Sequence, residues 1–281
     1  MVSSADTPRA RALGAELRQA RERRGLSMRR LAEAVGRSGS HISRWENGQL
    51  IPTEADTATV LAVLGVNGAD RDRMIELARD AADPNWVAPG VDKQLAVLTE
   101  YERTAKTIIN VEPLMVPGLL QTYDYARHII TAFGASSRGE ANQRAHVRIG
   151  RQHVLSGNAP KNLVAFVGEV ALRYPPCPND VMVEQLWQLR QFSGFPNIDM
   201  RVLPIDRPAG PALSGAWALV EFARTKPVVQ FEHYDTSATI TDARAVSRYR
   251  EAVDILRDVA MDPAESVELI AEILATKERS C

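Results

Sequence analysis

Cysteine is almost absent. Cys177 and Cys281 are the only two in 281 residues, and they lie far apart. That is too few for a disulfide framework, and the spacing fits no CxxC metal pair. Reduced thiols in the cytosol are the reading they support. Long apolar runs are missing as well. No stretch approaches the ~20 apolar residues that span a bilayer. The opening residues MVSSADTPRARALG lack the apolar core of a secretory signal. A cytoplasmic chain with no membrane contact is expected. Catalytic signatures are also missing: no HExxH, GxGxxG, Walker loop or G-x-S-x-G turn occurs. His146 and His153 are seven apart on a predicted helix, but no third ligand has metal spacing. Glu232 and His233 alternate across a predicted strand, and Cys177 sits in Pro175-Pro176-Cys177-Pro178 without a nearby base. No enzyme, metal or cofactor is therefore expected.

Net charge is nearly absent too, at −1, but the average hides a gradient. Between Arg9 and Arg44 there are ten arginines against Glu16, Glu22 and Glu33, a local charge of +7. From Trp45 to Asp83 the sign reverses to −5. Phosphate binding needs a local basic surface, not a basic protein. A solvated helix face with i,i+4 ion pairs would give the same count.

What is present reads as two blocks. Residues 9–82 form five short predicted helices. Leu13, Leu17 and Ala20 share one face of the first, which ends at Gly25. Ser27 can cap a second helix, stopped by Gly36, and Ser38 can cap a third, ending at Asn47-Gly48. Val60, Leu61 and Leu64 mark the fourth, and Met74, Leu77 and Ala78 the fifth. Residues 83–91 are a Pro/Gly-punctuated linker. Residues 92–281 read as an α+β domain with a small, partly antiparallel sheet. Its helices fall near 92–109, 117–133, 138–156, 180–192, 242–260 and 263–277. Its strands fall near 163–167, 198–203, 216–222 and 228–233.

The informative stretch is Leu26 to Gly48, LSMRRLAEAVGRSGSHISRWENG. Two helices that cross closely need a small residue, and Ala32 supplies it. Gly36 can take φ > 0 in the turn. Ile42 can anchor the second helix on Leu31 and Val35, and Trp45 adds area one turn on. The other face of that helix carries Gly39, Ser40, Ser43 and Arg44, residues suited to a groove rather than a core. Leu31-Ala32, Gly36, Ile42-Ser43-Arg44 and Trp45-Glu46-Asn47-Gly48 resemble the XRE/Cro-C1 helix-turn-helix family over about residues 11–80.

That resemblance implies DNA binding, with helix 38–47 in the major groove. It places Gly39, Ser40, Ser43 and Arg44 at base edges, with Ser38 at the head of the helix. Arg44 is the strongest candidate, since a guanidinium can bond guanine O6 and N7 together. Met28, Arg29 and Asn47 fall where the family contacts phosphate. The family pattern also implies an Arg21–Glu46 ion pair. Met28 and Gly39 replace the glutamines the family often carries, and Gly39 can read nothing. A helical hairpin used only as a protein-binding surface remains the alternative.

Val111 to Arg127, VEPLMVPGLLQTYDYAR, with Arg151-Gln152, Gly168 to Arg173 and the strand at Met200–Pro204, is similar to a WhiJ-like, DUF5753-type effector domain of actinobacterial regulators. That resemblance implies regulation, a small partner protein encoded nearby, and no enzymatic activity. Gln121, Tyr125 and His128 share one face of a predicted helix. That face could line a pocket for a small-molecule effector, or belong to a buried helix with satisfied polar groups. Arg148, Arg151 and Gln152 on the next predicted helix could bind an anion, or form a solvated or ion-paired face. Glu169 and Arg173, at i and i+4, can pair with each other. The expectation is a homodimeric transcriptional regulator on double-stranded DNA. The competing expectation is an antitoxin-like factor whose main act is to bind a small partner protein.

Overall fold

The computed structural model describes residues 7–279, except 80, 82–84, 90, 136, 158, 224 and 233–235. The described residues form two compact units. The first comprises residues 1–104, 224–228 and 235–245; the second comprises 105–223, 229–234 and 246–281.

The first unit opens with α1 (Pro8–Arg23), capped by the Thr7 side chain. Next come α2 (Met28–Ala34), α3 (Gly39–Glu46), α4 (Glu54–Leu64) and α5 (Gly68–Arg79). Leu13, Leu17 and Ala20 of α1 are buried with Leu31, Ile42, Trp45, Leu61, Leu64, Met74 and Leu77, one apolar face from each helix. Thr53 caps α4, and Gly65 ends it at φ +72°. The stretch read as a linker contains a strand, β1 (Asn85–Pro89), followed by α6 (Val91–Thr104).

The helix expected over 92–109 stops at Thr104, and β2 (Ala105–Glu112) follows. The β-branched run Thr107-Ile108-Ile109 with Val111 favours the pleat over a helical turn. The helix expected over 117–133 is also divided. A 3-10 turn at Gly118–Leu120 precedes α7 (Tyr123–Ala132), which Thr122 caps. Likewise α8 (Arg138–Gly150) gives way to a 3-10 segment at Arg151–Leu155. Then come β3 (Asn162–Gly168), α9 (Glu169–Arg173), α10 (Asn179–Phe192), β4 (Ile198–Leu203), β5 (Trp217–Phe222) and β6 (Val228–Glu232). Thr236–Ile240 forms β7 and pairs antiparallel with β1 in the first unit. The chain closes with α11 (Ala243–Val259) and α12 (Pro263–Glu278), the latter opened by an Asp262–Glu265 capping box.

The sheet of the second unit is mixed, in the order β6-β5-β2-β3-β4. β2, β3 and β4 run parallel, while β5 runs antiparallel to β2. It has one more strand than expected, because β2 follows α6 directly with no turn residue between them. β3 is buried along nearly its whole length, as a parallel strand covered on both faces must be.

Candidate functional site

α2 and α3 are built from serine caps and a glycine turn. The Ser27 hydroxyl accepts from Arg30 N, and the Ser38 hydroxyl from His41 N, each at 3.3 Å. Gly36 makes the turn at φ +65°. No atom lies within 4 Å of where its Cβ would stand, so the demand there is conformational, not steric. Leu31, Ala32, Ile42 and Trp45 are buried beneath. The tightest approach involves Gly14 of α1. A Cβ there would stand 2.4 Å from the Trp45 carbonyl oxygen and 2.8 Å from that of Glu46. Sequence reasoning gives the close-contact role to Ala32 and misses Gly14, because a lone glycine within a helix reads only as a weak breaker.

Below this pair lies the expected ion pair. Arg21 Nε and Nη2 donate to Glu46 Oε1 and Oε2 at 2.6 and 2.8 Å, and Nη1 donates to Leu26 O at 2.9 Å. Hydrogen bonding to Glu46 holds the Arg21 guanidinium above its ordinary pKa despite burial. Arg18 adds bonds to Glu46 O at 2.9 Å and Asn47 Oδ1 at 2.7 Å, and it reaches Glu100 at 3.1 Å. The Asn47 Nδ2 donates to Ser43 O at 2.7 Å. Both ends of the Asn47 amide thus help to close α3.

The outer surface is what this framework leaves uncovered. Met28, Arg29, Ser38, Gly39, Ser40 and Arg44 are exposed, and Ser43 and Asn47 are half-buried. The residues read from the sequence as DNA contacts therefore sit together on α2 and α3 and the caps that flank them. Their chemistry differs from one to the next. The Ser38 hydroxyl lies 2.8 Å from both Ser40 Oγ and His41 Nδ1, so it belongs to the cap. Gly39 has open space around its Cβ position. Arg44 Nε donates only to Ser40 O, at 3.3 Å. His41 is a surface residue the sequence reading overlooks. It lies edge-on to Trp45, with ring centroids 6.1 Å apart, at the i,i+4 spacing that could have flagged it.

Part of the +7 charge is structural. Arg37 is bonded to Asp56 at 2.6 Å, Arg18 and Arg21 to the acids above, and Arg29 to Glu33 at 3.5 Å. Arg11 is buried over the Tyr101 ring, 5.6 Å from its centroid. Burial pushes the Asp56 carboxyl up, but bonds from Arg37 and Thr53 outweigh it and hold it below the usual carboxylate range. Among the described residues, Arg23, Arg24, Arg30 and Arg44 are exposed without an acidic partner.

In the second unit the expected effector residues do converge. Arg148 Nη1 donates to Gln121 Oε1 at 3.1 Å, and Gln152 Nε2 to Gln121 O at 2.6 Å. Gln121 Nε2 donates to Val116 O at 2.7 Å, and Val116 N donates to the Tyr125 hydroxyl at 3.2 Å. Arg151 is buried, with Nη2 2.8 Å from the Cβ position of Gly118. Much of this set is an internal network. Burial pushes the Tyr125 hydroxyl up to about 12. The acidic neighbour is Glu112, which sequence reasoning misses. Burial first, and Glu232 second, push its carboxyl up to about 8. Glu169 and Arg173 pair at 2.5 Å, and Glu169 also accepts from Ile205 N. α8 ends at Gly150, so His146 lies in α8 and His153 in the 3-10 segment that follows it. His233 and Cys281 lie outside the described residues.

Residues 12–74 match a helix-turn-helix domain model. That stretch runs from α1 into α5, and a helix-turn-helix domain suggests a DNA-binding regulator. Residues 95–272, more than half of the chain, match the domain of unknown function DUF5753, and the chain belongs to that family. No curated protein matches it. No helix among the described residues is long and apolar enough to cross a membrane.

Proposed function

We propose that this protein is a sequence-specific transcriptional regulator that lays α3 in the major groove. The observation that carries the reading is the two-sided build of α3. Ile42, Trp45 and Glu46 are buried on one side, while Gly39, Ser40 and Arg44 stand exposed on the other. A helix held this firmly, with short polar side chains outward, suits groove entry. Arg44 reads a base edge, with Ser40 and Ser43 beside it. Met28 and Arg29 face the phosphates at the start of α2, and Asn47 contacts phosphate while closing α3. One short helix covers only a few base pairs, so the protein acts as a cytoplasmic homodimer on a pseudo-palindromic site. The residue 92–281 block serves as effector and dimerisation region, and no enzymatic step is assigned to it. The test is a gel shift with Arg44→Ala on genomic fragments. Reduced affinity with relaxed sequence preference is expected; unaltered binding and preference would sink the groove assignment.

A second reading draws on the apolar surface of the second unit. Leu114, Tyr174 and Leu213 are 65%, 74% and 82% exposed. Exposed apolar surface favours a protein partner. In that reading the chain is an antitoxin-like factor whose main act is capturing a small protein. A stable complex purified from the native host that leaves DNA binding unchanged would favour it.

A further inference from the structure

Gln230 of β6 is 2% exposed, and among the described residues both ends of its side-chain amide lack a hydrogen-bond partner. Buried polar groups are nearly always paired, so an open donor and an open acceptor on one amide mark a place where something else binds.

The surroundings of Gln230 carry charge. Trp217 and Phe231 both meet the Tyr249 ring of α11, at 5.0 and 5.5 Å between centroids, so both lie on one face of the sheet. Alternation puts Gln230 and Glu232 on the opposite face. The β2–β5 register pairs Val111 with Trp217 and Asn110 with Ala218. That turns Asn110 and Glu112 to the same face as Gln230 and Glu232. Arg148 of α8 interacts electrostatically with both Glu112 and Glu232, and its own guanidinium is bonded to Gln121. One sheet face thus gathers an open amide, two carboxylates and the engaged Arg148 guanidinium, with Arg151 and Arg144 near enough to oppose it. β6 runs from buried Gln230 to exposed Glu232, so the face reaches solvent.

Charge selects the class of ligand. Burial and the Glu232 charge favour the protonated form of Glu112, against Arg148 and Asn110. Arg148 is itself opposed by Arg151 and Arg144. The free protein holds a proton on Glu112, first because burial disfavours its charge and second because Glu232 repels it. A bound cation takes the place of that proton and releases it to solvent.

We infer that this face binds a small organic cation. A protonated amine bridges Glu112 and Glu232, and a neighbouring hydroxyl or carbonyl of the same molecule pairs with the Gln230 amide. The inference deepens the effector reading above and rests on it only for its regulatory meaning.

The test is calorimetric titration of the full chain with ethanolamine, agmatine and 4-aminobutanol, each against a neutral counterpart (ethylene glycol, N,N′-diacetylputrescine and 1,4-butanediol). Saturable binding of at least one amine, with the neutral counterpart inert, is expected. Affinity should rise as pH rises through about 8, with proton release to buffer. Glu112→Gln should weaken binding roughly tenfold or more and flatten the pH dependence. Gln230→Leu should weaken binding while leaving thermal stability equal or higher, since it removes an unpaired amide. Absence of binding by all three amines, or binding indifferent to both substitutions, overturns the proposal and leaves ordered water as the partner of Gln230. Gel shifts on the same preparations keep the two readings apart. Lost amine binding with retained DNA binding fells this inference alone; amine binding without any DNA binding fells the regulator.

Discussion

At the scale of single residues, Gly14 and the Arg21–Glu46 pair set the position of α3. A methyl at Gly14 would meet two carbonyl oxygens of α3, at 2.4 and 2.8 Å, and backbone cannot swing aside as a side chain does. Gly14→Ala should therefore destabilise the first unit by about 3 kcal/mol, an overpacking cost, read as a lower denaturation midpoint. Glu46 is 3% exposed and takes both arms of Arg21. Glu46→Ala removes both carboxylate bonds and leaves the buried guanidinium with Leu26 O and the exposed Glu22, at a cost of about 3 kcal/mol by the same measurement. Cys177 is the opposite case, a residue whose environment quiets it. Burial pushes its thiol up to about 11, so little thiolate exists at neutral pH. Its peptide should alkylate with iodoacetamide roughly a hundredfold more slowly than an unperturbed thiol, as read by mass spectrometry.

At the scale of elements, the α2–turn–α3 segment separates into parts that hold and parts that touch. Arg37, which leads into α3, is bonded to Asp56 in the first turn of α4. The folded Asp56 carboxyl lies below its ordinary pKa, so this bond contributes stability above the unfolded aspartate pKa. That contribution is lost as pH falls through the folded value. Acid unfolding of Arg37→Ala should accordingly show a shallower pH dependence than the parent. The touching parts split by chemistry. Arg30→Ala, an exposed cation on α2, should weaken binding evenly across sequences and lower the salt slope by about one. Arg44→Ala should cost about 1–3 kcal/mol at one base pair only. Much of this segment was legible in advance, because local stereochemistry fixes it: a serine begins each helix, a left-handed glycine makes the turn, and Ile42 and Trp45 recur at helical spacing. The sheet was less legible. β2 continues the apolar pattern of α6 without a break signal, and β1 lies in a proline-bearing stretch that reads as linker. Gln230, Glu112 and Arg148 are brought to one place by strand register and a packed helix, which no local pattern encodes.

At the scale of the whole molecule, the charge gradient that first suggests DNA binding is partly used up inside the fold. Arg11, Arg18, Arg21 and Arg37 serve packing and ion pairs, so the exposed cations are fewer than the sequence count implies. The specific contacts then matter more than bulk charge, and the proposed dimer would supply the rest of the affinity. Two copies should present their α3 helices ~34 Å apart, one turn of B-DNA, on half-sites related by a two-fold axis. Selection of bound duplexes from a random library, run in parallel with the parent chain and Arg44→Ala, tests this most directly. The account predicts an enriched inverted repeat for the parent, and for Arg44→Ala the same repeat with preference lost at one symmetric guanine. No enriched repeat, or an identical motif from both proteins, would contradict it.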